Sequence, residues 1–206
     1  MRYEGNFRRY GELDVTALRA CVDQQTESAW RENDFRQKAY AVHRHTQTIS
    51  LLFDDDFRHF AATRRPKYAE FSAALRPLIE KVSGYFDYQG WMVRCILTRL
   101  IAGGTISPHV DLGFSLIHAH RFHIPVITNE AVKFTVGEET VHMRAGEIWE
   151  INNSKQHSVS NGGTDDRVHL ILDWAEPVTV EELHEYRKDR QEHTQRTRAG
   201  VQPKYD

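Results

Sequence analysis

Glu147-Ile-Trp-Glu-Ile-Asn-Asn-Ser-Lys-Gln-His157-Ser-Val-Ser-Asn-Gly-Gly-Thr-Asp-Asp-Arg167-Val-His-Leu-Ile-Leu-Asp-Trp174 is the stretch that decides the fold. Short runs rich in Ile, Val, Leu and Trp are broken by Asn, Gly and Asp, the pattern of β-strands joined by tight turns. The rhythm extends upstream: residues 91–101, 118–128, 132–136, 140–143, 147–151, 156–160 and 167–174 each read as a strand. Short strands so regularly punctuated fold as a small antiparallel barrel or a two-sheet jelly roll. The Asn161-Gly162-Gly163 turn is expected to close a hairpin, which would set residues 157 and 167 face to face.

Before residue 85 the period changes. Val15, Leu18, Cys21 and Val22 recur at helical spacing behind Asp14, a side chain suited to capping a first turn. Residues 66–85 carry Tyr68, Phe71, Leu75, Leu78, Ile79 and Val82 on one stripe, the core face of an amphipathic helix. Residues 30–38 read as a polar loop. Residues 39–53 alternate as a strand that would put His43, His45 and Gln47 on one face, and Asp54-Asp55-Asp56 reads as a solvated loop beyond it. The expected organisation is one structural domain: residues 1–84 as strands and helices packed on the barrel, 85–177 as the β core, and 178–206 as a polar tail.

Charge and hydropathy narrow the partners. A net charge of −2 without a basic run argues against nucleic acid. No apolar window is long enough for a membrane helix. Met1-Arg-Tyr-Glu-Gly5 has no apolar stretch behind it, so a cytoplasmic location is expected. Cys21 and Cys95 lie in apolar segments and are expected as reduced, buried thiols.

The chemistry concentrates in the β region. His109 and Asp111 stand at i and i+2, so an extended segment sends both side chains from one face. His157 offers a third ligand from a separate strand. Two histidines and a carboxylate occupy one face of an iron and leave the opposite positions open, the donor set of non-haem Fe(II) oxygenases. Arg167, on the strand that follows, would point its guanidinium into the same pocket. A buried arginine needs an anion, and a dicarboxylate such as 2-oxoglutarate supplies one through a bidentate contact.

Pro108-His-Val-Asp111, Arg121-Phe-His-Ile-Pro125, Val141-His-Met-Arg-Ala-Gly-Glu-Ile-Trp149, Asn153-Ser-Lys-Gln-His-Ser-Val159 and Asp166-Arg-Val-His-Leu-Ile-Leu-Asp173 together resemble the aspartyl/asparaginyl β-hydroxylase family. These are cupin-like Fe(II)/2-oxoglutarate oxygenases, and they include free-proline hydroxylases that keep the carboxylate ligand supplied here by Asp111. The resemblance spans residues 85–175, and more weakly the N-terminal part. It implies a mainly β fold, a double-stranded β-helix (jelly roll, cupin-like) with flanking N-terminal α-helices. It makes His109, Asp111 and His157 the iron ligands and Arg167 the clamp on the distal carboxylate of 2-oxoglutarate. It also suggests Thr98 as a hydroxyl partner of that carboxylate, with Arg121 and His123 near the keto-acid end.

Arg121 and His123 share a strand face, so both can enter the barrel. His169 shares Arg167's face and reads as packing beside it. His43, His45 and Arg94 are candidates for holding a substrate carboxylate, and His120 could reach the substrate mouth. The expected activity is an Fe(II)- and 2-oxoglutarate-dependent dioxygenase consuming O2. It would hydroxylate an amino acid, or an amino-acid residue of a peptide or protein, and release succinate and CO2. The competing class is a non-catalytic cupin-like protein that binds or senses a metal and a carboxylate. Such a module needs no open coordination face beside a dicarboxylate clamp.

Overall fold

Alternation of apolar residues over the β region produces two antiparallel sheets in the computed structural model, which describes residues 4–32, 34, 37–38, 41–54, 62–111, 113–177, 179 and 181. The chain forms two compact units, Met1–Glu176 and Pro177–Asp206. The site lies wholly in the first. Nearly all of the expected polar tail, and Asp55 and Asp56, lie outside the described residues.

The elements run β1 (Phe7–Glu12), α1 (Thr16–Asp23), α2 (Glu27–Arg31), a 3-10 turn (Ala41–His43), β2 (Thr46–Phe53), β3 (Thr63–Arg64) and α3 (Tyr68–Ser83). They continue with β4 (Trp91–Leu100), β5 (Thr105–His109), α4 (Phe114–Ile117), β6 (Ala119–Ile127), β7 (Val132–Val136) and β8 (Glu139–Val141). β9 (Glu147–Ile151), β10 (His157–Asn161) and β11 (Arg167–Ala175) complete the set. The major sheet has the order β1-β9-β6-β11-β4-β2-β3 and the minor sheet β5-β10-β7-β8. Of the barrel and the two-sheet jelly roll that the strand rhythm allows, the chain adopts the second, the double-stranded β-helix that the family resemblance implies.

Each sheet face has its own apolar partner. The outer face of the major sheet, with Cys95, Leu97, Phe122, Ile124, Leu170 and Leu172, buries against α1 and α3 through Leu18, Val22, Phe71, Leu75, Leu78 and Val82. Leu100 and Ile151 of the major sheet meet Ile106, Val132, Phe134, Val136 and Val159 of the minor sheet to fill the space between the layers. All nine residues of β11, the central strand, are buried. Charged residues on it therefore need partners inside the protein.

Several local expectations change. β10 pairs with β5 and β7, whereas β11 pairs with β4 and β6, so Asn161-Gly-Gly is a crossover between sheets and not a hairpin. The Asn161 amide stitches that corner by donating to the carbonyls of Leu100, Ile101 and Asp165 at 3.3, 3.2 and 2.9 Å. Residues 30–38 are not all loop. Thr26 accepts a hydrogen bond from the Ala29 amide to start α2, which sinks Trp30 into the core. Residues 41–43 form a 3-10 turn and β2 starts at Thr46, so His43, His45 and Gln47 do not line one strand face. Asp14 caps from one residue further out than expected, accepting from the Thr16 amide at 2.8 Å. Within β1, Gly11 makes a bulge at φ 133°, a left-handed geometry suited to glycine. Gly146 is required sterically: a Cβ there would lie 2.4 Å from the Leu13 carbonyl oxygen.

Candidate metal centre

β5 and β10 bring two candidate ligands together by pairing His109 directly with His157. Asp111 sits just past the end of β5, where its amide donates to the Asn153 carbonyl at 3.1 Å. Asn153 is itself buried and donates to the Leu116 carbonyl, so the loop that delivers His157 is tied to the loop that carries Asp111. One ligand atom from each of His109, Asp111 and His157 falls within 4.8 Å of the others.

The donor set fits a divalent metal. His109 Nδ1 lies 2.8 Å from the Ser107 carbonyl oxygen and His157 Nδ1 lies 3.0 Å from that of Lys155. A carbonyl only accepts, so Nδ1 carries the proton in both rings and each Nε2 lone pair is left for a metal. Those Nε2 atoms stand 3.9 and 3.5 Å from Asp111 oxygens. Burial, opposed by the Asp111 charge, lowers the His157 pKa and favours the neutral, ligating imidazole. Two nitrogens and one carboxylate suit iron and leave coordination positions open.

Beside the triad runs a ladder of buried charges. Arg121 donates to Asp111 and forms a bidentate pair with Asp173 at 2.8 and 2.7 Å. Asp173 also meets Arg94 at 3.3 Å, Arg94 pairs with Asp54, and Asp54 accepts from Ser115. Burial alone would depress Arg121, but Asp111 and Asp173 more than offset it, so its pKa is raised and the guanidinium stays charged. Asp54, expected in solvent, is 0 % exposed, and burial raises its pKa against the pull of Arg94. The ladder returns to the loop that carries Asp111, because Ser115 lies in α4 just beyond it.

The opposite end of the inner face has a different character. Arg167 is 1 % exposed and donates to His169 Nδ1. Among the described residues no carboxylate stands within ion-pair distance of it, and burial pushes its pKa down to about 9. Thr98 lies opposite His169 in the sheet register, and its hydroxyl is buried without a hydrogen-bond partner. His123 enters the same face, 5.8 Å from the His169 ring, and burial followed by the charges of Arg167 and Arg121 holds it neutral.

The four substrate candidates separate. His43 packs edge-on against His109 at 5.4 Å and so joins the site. His45 is held away by accepting from the Thr105 amide at 3.1 Å. Arg94 is 3 % exposed and engaged by two aspartates, which removes it from direct substrate binding. His120 faces the other way: strand alternation turns it from Arg121, onto Glu150 at 2.5 Å and the Phe86 ring at 4.5 Å. Asp54, Asp173 and Thr48 are buried near these groups without having been singled out as site residues. The signal for Asp173 and Arg94 was present, since a lone charge inside an apolar strand run demands a buried partner.

Comparison with known proteins identifies the fold and the family. A curated relative, L-proline cis-3-hydroxylase 1 of Streptomyces sp, is 31% identical over 113 residues, covering 53% of this chain and 37% of the relative. The chain thus spans little more than a third of that relative's length. A prolyl hydroxylase from Trichoplax adhaerens, solved with a hypoxia inducible factor oxygen degradation domain peptide fragment, superposes with a TM-score of 0.54 at 11% identity over 84% of each chain. A 2OG-Fe(II) oxygenase family oxidoreductase from Burkholderia pseudomallei gives 0.53 at 13% identity, over 63% of this chain and 67% of that one. At such identities the structural likeness concerns the fold. The model of the Aspartyl/Asparaginyl beta-hydroxylase family matches residues 73–177, which include His109, Asp111, Arg121, His157 and Arg167. This chain belongs to that family.

Proposed function

We propose that the protein is an Fe(II)- and 2-oxoglutarate-dependent dioxygenase that hydroxylates an amino acid or an amino-acid residue of a peptide. One observation carries the reading. A His-Asp-His donor set stands in the same β-helix as a buried arginine that has no carboxylate within ion-pair distance among the described residues. His109, Asp111 and His157 hold the iron, and Arg167 with Thr98 holds the distal carboxylate of 2-oxoglutarate. When bound, iron and 2-oxoglutarate supply an oxidant from O2, with succinate and CO2 as co-products.

The chain's own groups do the rest. The carbonyls of Ser107 and Lys155 fix the tautomers of the two histidines. Arg121, locked by Asp173, holds the Asp111 carboxylate in one orientation. His123, neutral and buried, lines the wall between the triad and Arg167 and keeps it free of a second cation. His43, beside His109, is the polar group placed to meet the substrate, and Val110 and Ile117 leave an exposed apolar rim close by.

Succinate formation, measured with anaerobically loaded Fe(II) and O2 added last, tests this reading across free L-proline, other amino acids and short peptides. Stimulation by one compound, with matching hydroxylated product, is expected. Iron binding with no succinate from any of them, not even slow uncoupled turnover, would overturn it.

A further inference from the structure

The arginine end of the pocket holds more unanswered donors than one clamp residue accounts for. A guanidinium has N–H donors only, so the contact from Arg167 to His169 Nδ1 makes that nitrogen an acceptor. The imidazole proton must then sit on Nε2. His169 Nε2 is buried and has no hydrogen-bond partner among the described residues. The same holds for Arg167 Nε, Thr98 Oγ1 and Thr48 Oγ1. Thr48, Thr98 and His169 lie directly opposite one another across β2, β4 and β11, and Arg167 is two residues from His169 on the same face. All four residues are at most 2 % exposed. Buried donors left open in this way cost stability unless a ligand answers them.

Resting on the reading that this pocket takes 2-oxoglutarate, we infer that His169 and Thr48 are specificity-determining residues for the cosubstrate. Neutral His169 donates Nε2–H, and Thr48 its hydroxyl, to the distal carboxylate beside Arg167. The ring is thus a second donor and not packing. Burial, reinforced by the Arg167 charge, lowers the His169 pKa well below the usual range, which keeps the ring in this neutral form. A row of donors from three strands suits a group that only accepts. A keto acid ending in a methyl leaves every donor open, and one ending in an amide turns donors towards the guanidinium.

The test is anaerobic binding of 2-oxoglutarate and of 2-oxobutyrate, which shares the keto-acid end but lacks the distal carboxylate, to the Fe(II)-loaded protein. His169→Phe should weaken 2-oxoglutarate by about 10- to 100-fold, the loss of one hydrogen bond to a charged group, and leave 2-oxobutyrate unchanged. His169→Gln, whose amide can both accept from Arg167 and donate onwards, should recover most of the loss. Thr48→Val should weaken 2-oxoglutarate by about tenfold. Equal weakening of both keto acids by His169→Phe, or no recovery with Gln, would show a merely structural role and overturn the proposal. If His169→Phe does not fold, Thr48→Val decides, and an unchanged 2-oxoglutarate affinity overturns the proposal. Wild-type protein that binds both keto acids equally would instead overturn the Arg167 clamp itself, a different failure from loss of the His169 and Thr48 roles alone.

Discussion

The two ends of the inner sheet face are built on opposite plans. Near the triad, Asp111, Arg121, Asp173, Arg94 and Asp54 alternate in sign, and each charge touches an opposite one. At the far end Arg167 is equally buried, yet its neighbours are neutral: His169, Thr98 and Thr48. The first end is paired within the protein and holds Asp111, a candidate metal ligand, in place. The second has no carboxylate within ion-pair distance among the described residues, and under the proposed function an anion would complete it. The proposed function rests on that difference: a paired arginine serves as a scaffold, whereas one without a carboxylate partner is suited to bind an anion.

Removal of a triad member breaks the first end most severely. Asp111→Ala and His157→Ala should each abolish iron binding and substrate-stimulated succinate, and full activity in either would remove the triad assignment. Asp173→Ala comes next. It strips Arg121 of its bidentate partner and Arg94 of an aspartate, and the loss should cost about 3–5 kcal/mol in urea unfolding. At the other end the sign reverses. Arg167→Met replaces an unanswered buried cation by an apolar side chain of similar length, so the ligand-free protein should gain about 1–4 kcal/mol while losing 2-oxoglutarate binding. A destabilised Arg167→Met would mean that the guanidinium is satisfied in the free protein.

The smallest effect is pH dependence. Burial holds His123 and His169 neutral in the folded protein, with pKa values well below 6.5. In the unfolded chain the same groups take up protons near pH 6.5, so below that pH the unfolded state binds more protons and stability falls as pH falls. The slope is at most about 1.4 kcal/mol per pH unit for each histidine. Urea midpoints of the ligand-free protein at pH 7 and pH 5.5 check this, and a flat profile would contradict neutral burial.

Much of the fold was legible because it rests on local periodicity. β7 and β9 fall where alternation puts them, and α3 follows its apolar stripe. The His109, Asp111 and His157 cluster was legible in its residue types and order, although Asp111 lies just past β5 and reaches the two histidines through its loop and not through strand alternation. Sheet membership was not. A strand's period says which residues share a face but not which neighbour it pairs with, so the turn at Asn161 read as a hairpin instead of a crossover. The charge ladder was hidden for the same reason, since Asp54 and Arg94 are 40 residues apart and Arg121 and Asp173 are 52 apart. Asp54 looked like the first residue of a solvated acidic run because its partner lies on another strand. His120 and Arg121 show how much one position matters: adjacent in sequence, they face opposite sides of the sheet.

The most direct measurement is the stability of wild type and Arg167→Met, each loaded anaerobically with Fe(II), with and without 2-oxoglutarate. Ligand at about one hundred times its Kd should stabilise wild type by about 2.7 kcal/mol. Arg167→Met should start more stable and gain nothing from the ligand. A wild type indifferent to 2-oxoglutarate, or a variant that responds as wild type does, would contradict the account of a buried arginine kept open for a dicarboxylate.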